Sequence, residues 1–185
     1  GSGGRAAAVG WISDRGGWSV LTYRAADGYR VTGAATLPGG DVVVLDNQGR
    51  TDCTVWGDIL TVYSRTRNIA GTLIEGVCRD LDGIDEHDYP LFARGVFMMT
   101  GKDRVMVDGT QVTVSVGNRQ VRPDDMIVGD ASGVVVVPKE RAEEVLEIAR
   151  TIEAAESAIM DAVRGGASIA EARRAHGYHT LQTKG

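Results

Sequence analysis

The sequence predicts one domain of α/β or α+β class, on three observations. A continuous apolar run, AGTLIEGV at 70–77, reads as a strand covered on both faces. Short β-branched segments lie on either side of it, separated by turn residues. From about Lys139 the hydrophobic period changes to steps of three and four, so the chain closes on helices. Its 185 residues suffice for one domain with a substantial core, and neither an internal repeat nor a domain linker is visible.

Taken in order, the Gly-rich opening GSGGRAAAVGWISDRGGWSV has no clear period. YRVTGAATL and DVVVLDN are strand candidates separated by the turn signal PGG. GDILTVYSRTRN has the length of a short helix and sets Ile59, Val62 and Tyr63 on one face. After the apolar run, the segment DGIDEHDYP reads as a hydrophilic loop. YPLFARGVFMM and QVTVSVGNRQV read as further strands, and RPDDMIVGDASGVVVVP as two strands joined by a Gly-containing turn. KERAEEVLEIARTIEAAESAIMDAVRGG is a long amphipathic helix with Val145, Ala149, Ile152, Ile159 and Val163 on one stripe. Gly165 and Gly166 end it. A second short helix follows, with Ser168 as N-cap and Glu171 completing a capping box.

Bulk properties narrow the function. A net charge of −5 gives a nucleic-acid partner no general electrostatic support, and 5% aromatics leave few stacking platforms for single strands. No apolar run approaches the roughly 20 residues that cross a bilayer. The opening GSGG carries no signal-peptide pattern. The two cysteines, Cys53 and Cys78, match no metal-binding spacing and read as reduced thiols. A cytoplasmic protein without nucleic-acid or membrane partners is expected. No glycine-rich nucleotide loop with a following acidic residue is present, which removes support for a methyltransferase.

Two features carry chemistry. The helix opening at Gly57 and Asp58 presents backbone N–H groups that lack intrahelical partners, an anion site to which Gly57 permits close approach. Asp58 lies in the first turn, where the helix dipole favours a carboxylate. A plain helix start with Gly57 as cap explains the same residues. Arg79 and Asp80 follow the apolar strand directly. Arginine offers a planar fork for a carboxylate, and aspartate is a hard oxygen ligand for magnesium or manganese. The alternative is a surface ion pair, worth about 0–1 kcal/mol. Glu156 falls on the apolar stripe between Ile152 and Ile159, where a carboxylate must snorkel, pair or face another subunit. His87 in its acidic segment, and His176 and His179 near the end, read as ordinary hydrophilic residues.

Together WGDIL, AGTLIEGVCRDLDG, YPLFARGV and VRPDDMIVGDASGVVVVP resemble the RraA-like family. That family includes the regulator of ribonuclease E activity and class II pyruvate aldolases. The aldolases act on 4-hydroxy-4-methyl-2-oxoglutarate and 4-carboxy-4-hydroxy-2-oxoadipate, and decarboxylate oxaloacetate. The resemblance covers roughly residues 29 to 138, leaving 139–185 as a C-terminal helical extension of a single RraA-like domain. Between Thr36 and Leu37 the chain is shorter than family members.

The family motif is a glycine, twenty residues, Arg-Asp, two residues, then Glu or Asp. Here twenty-one residues separate Gly57 from Arg79, or twenty counted from Asp58, and Gly83 stands where the final acid belongs. Asp82 and Asp85 are its nearest substitutes.

The resemblance implies a layered α/β/β/α sandwich of phosphohistidine-swivelling-like type with C-terminal helices. It implies a divalent-metal lyase that releases pyruvate through a metal-stabilised enolate, with Mg²⁺ or Mn²⁺ held by Asp80. Arg79 with the amides at Gly57, Asp58, Ile59 and Leu60 would bind the substrate carboxylate. Arg79, Asp58 and Glu156 would be catalytic, Glu156 (Glu153 as second choice) reaching a neighbour's site in a homotrimer or dimer of trimers. The alternative is a non-catalytic, protein-binding regulator of RNA processing. The family's regulator lacks the aspartate of the Arg-Asp pair, so Asp80 favours the enzyme.

Overall fold

The computed structural model describes residues 6–8, 22–24, 40–130 and 132–181. The expected strand at 29–37 and the short connection at Thr36–Leu37 lie outside them. The chain divides into two compact units, 1–139 and 140–185.

The first unit is built on a parallel sheet of β3 (Val42–Asp46), β4 (Gly71–Cys78) and β5 (Leu91–Val96), with β4 in the middle. Parallel neighbours need crossovers, here α1 (Asp58–Thr66) and α2 (Leu81–Glu86). All eight residues of β4 are buried, because both faces are covered. Leu73 points into a cluster with Phe92, Val121 and Ile127, and its neighbour Ile74 into one with Trp56, Ile84, Tyr89 and Leu91. The first cluster is closed by antiparallel hairpins, β6 (Val114–Val116) with β7 (Arg119–Val121), and β8 (Met126–Asp130) with β9 (Gly133–Val137). β1 (Ala6–Ala8) pairs antiparallel with β2 (Thr22–Arg24).

Two acids, the exposed Asp46 and the buried Glu75, tie the hairpin β6–β7 to the sheet. Asp46 accepts from the Ser115 amide at 3.1 Å, and Glu75 from the Gly117 amide at 2.6 Å while pairing with Arg94. Beneath α1, the hydroxyls of Thr72 and Tyr89 share a 2.8 Å hydrogen bond. Burial pushes the Tyr89 phenol up, against the lowering effect of its bonds to Thr72 and Ser64.

Three expectations change. The segment at 111–121 is a hairpin and not one strand, because Gly117 adopts φ 60° and reverses the chain. The acidic segment at 82–90 is largely helical, since α2 covers Leu81–Glu86 and drives Ile84 into the core. The face of α1 bearing Ile59, Val62 and Tyr63 points outward, with Ile59 75% exposed. Thr61 and Ser64 take the buried side instead, because polar groups of the core await them there.

The second unit contains α3 (Ala142–Arg164) and α4 (Ile169–Ala175). α3 closes on Gly165, with Gly166 at φ 97°, as expected. The capping box also forms: the Glu171 amide donates to Ser168 Oγ at 3.3 Å, and Ser168 N donates to Glu171 Oε2 at 3.1 Å. The Ser168 hydroxyl and amide hold the Glu171 carboxyl below its usual range. The better-covered row of α3 runs through Ile152, Ala155, Ile159 and Ala162. Glu156 lies off that row and is exposed, because one step of four from Ile152 leads to the flank and not the centre of the stripe.

Candidate active site

Parallel strands bring the carboxyl end of β4 and the start of α1 to the same edge of the sheet. In sheets of this kind ligands bind at those carboxyl ends. The backbone is closely fixed there: Arg79 N donates to Trp56 O at 3.1 Å. The Trp56 indole donates to Thr61 Oγ1 at 2.9 Å, and that hydroxyl donates to Gly57 O at 3.0 Å. Trp56 stacks on Tyr89 with ring centroids 6.0 Å apart. Trp56 and Thr61 therefore hold the helix start. Neither stood out in the sequence, although a tryptophan before Gly-Asp and a threonine four residues after the glycine are the visible signals.

Gly57 has φ −158°, ordinary extended backbone, so its lack of a side chain matters for space alone. A Cβ there would stand 2.5 Å from Asp80 Oδ2 and 3.4 Å from Arg79 Nε. Asp80 and Arg79 thus press onto the face of Gly57 that a ligand was expected to approach. Their side chains pair, Arg79 Nε to Asp80 Oδ2 at 3.1 Å, each about a third exposed. The pairing is side-on. It leaves the two terminal nitrogens of the Arg79 fork without an acceptor among the described residues. Asp80 adopts φ 56°, which aspartate tolerates better than most residues, and it does not cap α2 with its side chain. Arg79 and Asp80 therefore form an ion pair, and the terminal nitrogens of the fork stay open.

A cleft of about 1040 Å³ opens over this edge, lined by Gly57, Asp58, Ile59, Leu60 and Arg79 on one side and by the segment 100–109 on the other. Asp80 is not in the lining but directly behind it, against Gly57. Asp58 Oδ1 accepts from the Ile59 amide at 2.6 Å. That amide, expected to meet a substrate carboxylate, is engaged by its own neighbour, because a first-turn aspartate folds back onto the nearest free donor. Gly83 lies against Asp58, where a Cβ would stand 2.9 Å from Asp58 Cβ. An acid at position 83 would collide with Asp58 as it is placed. Asp82 is exposed on α2. Among the described residues no group of three His, Cys, Asp or Glu side chains has metal-binding geometry. Asp80 still suits a hard cation as a single ligand. Among the described residues Arg79 Nε is the one polar partner of its carboxylate, and the rest of its lone pairs remain for a metal with a water shell. Glu156 and Glu153 lie on α3, in the second unit. Cys53 and Cys78 are both buried, and no helix among the described residues is long and apolar enough to cross a membrane.

Residues 18–136, more than half of the chain, match the family model described as RraA-like, Aldolase/RraA. The chain belongs to the RraA-like family. Protein DlpA of Legionella pneumophila is 37% identical over 142 residues, 77% of this chain and 23% of that protein. A protein of Halalkalibacterium halodurans named "Putative 4-hydroxy-4-methyl-2-oxoglutarate aldolase" is 38% identical over 130 residues, 67% of this chain and 60% of that one. This RraA-like chain thus spans about a quarter of the length of DlpA and three-fifths of that of the Halalkalibacterium protein. The crystal structure of an uncharacterized protein from Pseudomonas syringae pv. tomato superposes with a TM-score of 0.71 at 42% identity, over 72% of this chain and 63% of that one. The α/β fold with C-terminal helices is accordingly the RraA-like fold.

Proposed function

We propose that this RraA-like chain is a divalent-metal-dependent lyase that cleaves a carbon–carbon bond of a 2-oxo acid. The observation that carries the reading is Arg79, which lines the cleft beside the start of α1 with its terminal nitrogens open and Asp80 behind it. A planar fork matches a carboxylate in two-point fashion, and the Leu60 amide adds a donor at the helix start. The Ile59 amide joins only if Asp58 releases it. Asp80 would hold Mg²⁺ or Mn²⁺, which when bound supplies Lewis-acid polarisation of the substrate's keto and carboxylate oxygens.

In the retro-aldol direction the proton of the substrate's 4-hydroxyl leaves through a water oriented by Asp58. The C3–C4 bond then breaks, C4 becomes a carbonyl, and the electron pair moves into the C2–C3 enolate of pyruvate. Arg79 stabilises that negative charge from a position fixed before the reaction. Protonation at C3 completes pyruvate. In oxaloacetate the same bond breaks with loss of CO₂, so one site serves both reactions. Glu156, exposed and without a partner among the described residues, is proposed to complete the site of a neighbouring chain in a trimer or dimer of trimers. The outward apolar face of α1 supports such an assembly.

The assay is pyruvate release from oxaloacetate with magnesium and with a chelator. Metal-stimulated release supports the lyase. Equal, background-level release in both arms contradicts it and favours the second reading, a non-catalytic protein-binding regulator of RNA processing, to which Gly83 in place of the motif acid lends support. A further expected result concerns Gly57→Ala. The new methyl meets the mobile end of Asp80 and the Arg79 chain, not backbone. The melting temperature should therefore stay within a few degrees of wild type, while kcat/KM for oxaloacetate falls at least about tenfold, or roughly 1.4 kcal/mol.

A further inference from the structure

We infer that Lys102 is a specificity-determining residue that binds a second, remote anionic group of the substrate. The inference rests on the reading that a 2-oxo carboxylate sits at Arg79. Four cations line the cleft: Arg50, Arg79, Lys102 and Arg104. Two of them are occupied. Arg50 makes a two-point pair with Asp52 at 2.9 and 2.8 Å and donates to Arg104 O at 3.3 Å. Arg104 turns back onto Thr100 O and Lys102 O at 3.3 and 3.2 Å. The terminal nitrogens of the Arg79 fork and the Lys102 ammonium are left without acceptors among the described residues. Of the acids in the same lining, Asp46 and Asp58 accept backbone amides, and Asp108 stands further along the segment that carries Lys102.

The two open cations are carried by different segments of the cleft lining. Thr54 bridges in parallel to Val77 on one side and to Thr100 on the other. The segments leading to Arg79 and Lys102 are therefore two strand spacings apart, about 10 Å. Both residues line the cleft, and that separation suits a short chain with an anion at each end. The turn bearing Lys102 is braced for the task. Gly101 packs so tightly that a Cβ would stand 2.4 Å from Thr54 O, and the amides of Arg104 and Val105 both donate to Gly101 O at 2.9 Å.

The test measures binding of 2-oxoglutarate and of 2-oxobutanoate in the presence of magnesium. The two share the 2-oxo carboxylate and differ in the remote one. Wild type is expected to prefer 2-oxoglutarate at least about tenfold, equivalent to roughly 1.4 kcal/mol. Lys102→Met should remove most of that preference and leave 2-oxobutanoate binding unchanged, while Lys102→Arg retains the preference. Equal loss for both ligands, or no loss for either, overturns the inference while the reading of Arg79 stands. A wild type that binds neither ligand overturns both.

Discussion

Asp80→Asn is expected to abolish metal-stimulated pyruvate release while leaving the fold intact. The substitution isolates the charge. Asp80 sits in the left-handed region at φ 56°, and asparagine accepts that conformation as readily as aspartate, whereas alanine would add strain. The ion pair it weakens is partly exposed and contributes no more than about 1 kcal/mol. A neutral amide is a much poorer ligand for Mg²⁺ than a carboxylate. Loss of even an indirect partner of a metal costs about 10–100-fold, so removal of the proposed direct ligand should cost at least about 100-fold in kcat/KM. Titration with magnesium should not restore it. Wild-type turnover at saturating magnesium would remove Asp80 from the site.

Arg79→Lys gives the second large effect. Lysine keeps the positive charge and loses the planar fork. Here the fork has a divided task. Its inner nitrogen, Nε, holds Asp80 at 3.1 Å, and its terminal nitrogens have no acceptor among the described residues. An ammonium serves one of these partners at a time. A fall in kcat/KM of at least about tenfold, roughly 1.4 kcal/mol, is expected, with kcat falling as well as KM rising because the same group stabilises the developing enolate. A near wild-type value would mean that Arg79 serves the fold alone.

Much of this arrangement was legible in the sequence, for identifiable reasons. The run at 70–77 contains no charged residue but Glu75, and a strand buried on both faces permits little else. Gly57 and Asp58 stood out as a helix opening, and Arg79 and Asp80 as adjacent charges directly after an apolar strand. What the sequence concealed was the direction of side chains. Ile59 and Tyr63 are spaced as a core face, yet Trp56 claims Thr61 for the buried side of α1. Glu156 reads as part of a stripe that in fact passes beside it. The cationic turn at 100–105 has no period and no motif. Its meaning depends on Thr54 lying between it and β4, which only the fold reveals.

The most direct measurement is a crystal structure of the protein with Mg²⁺ and oxalate, a mimic of the pyruvate enolate. The account predicts the metal bound to one protein ligand, an Asp80 oxygen at about 2.1 Å. Oxalate should chelate that metal, with one carboxylate on the terminal nitrogens of Arg79 beside the start of α1. Metal and oxalate bound elsewhere, or oxalate absent from the Arg79 fork at saturating concentration, would contradict it.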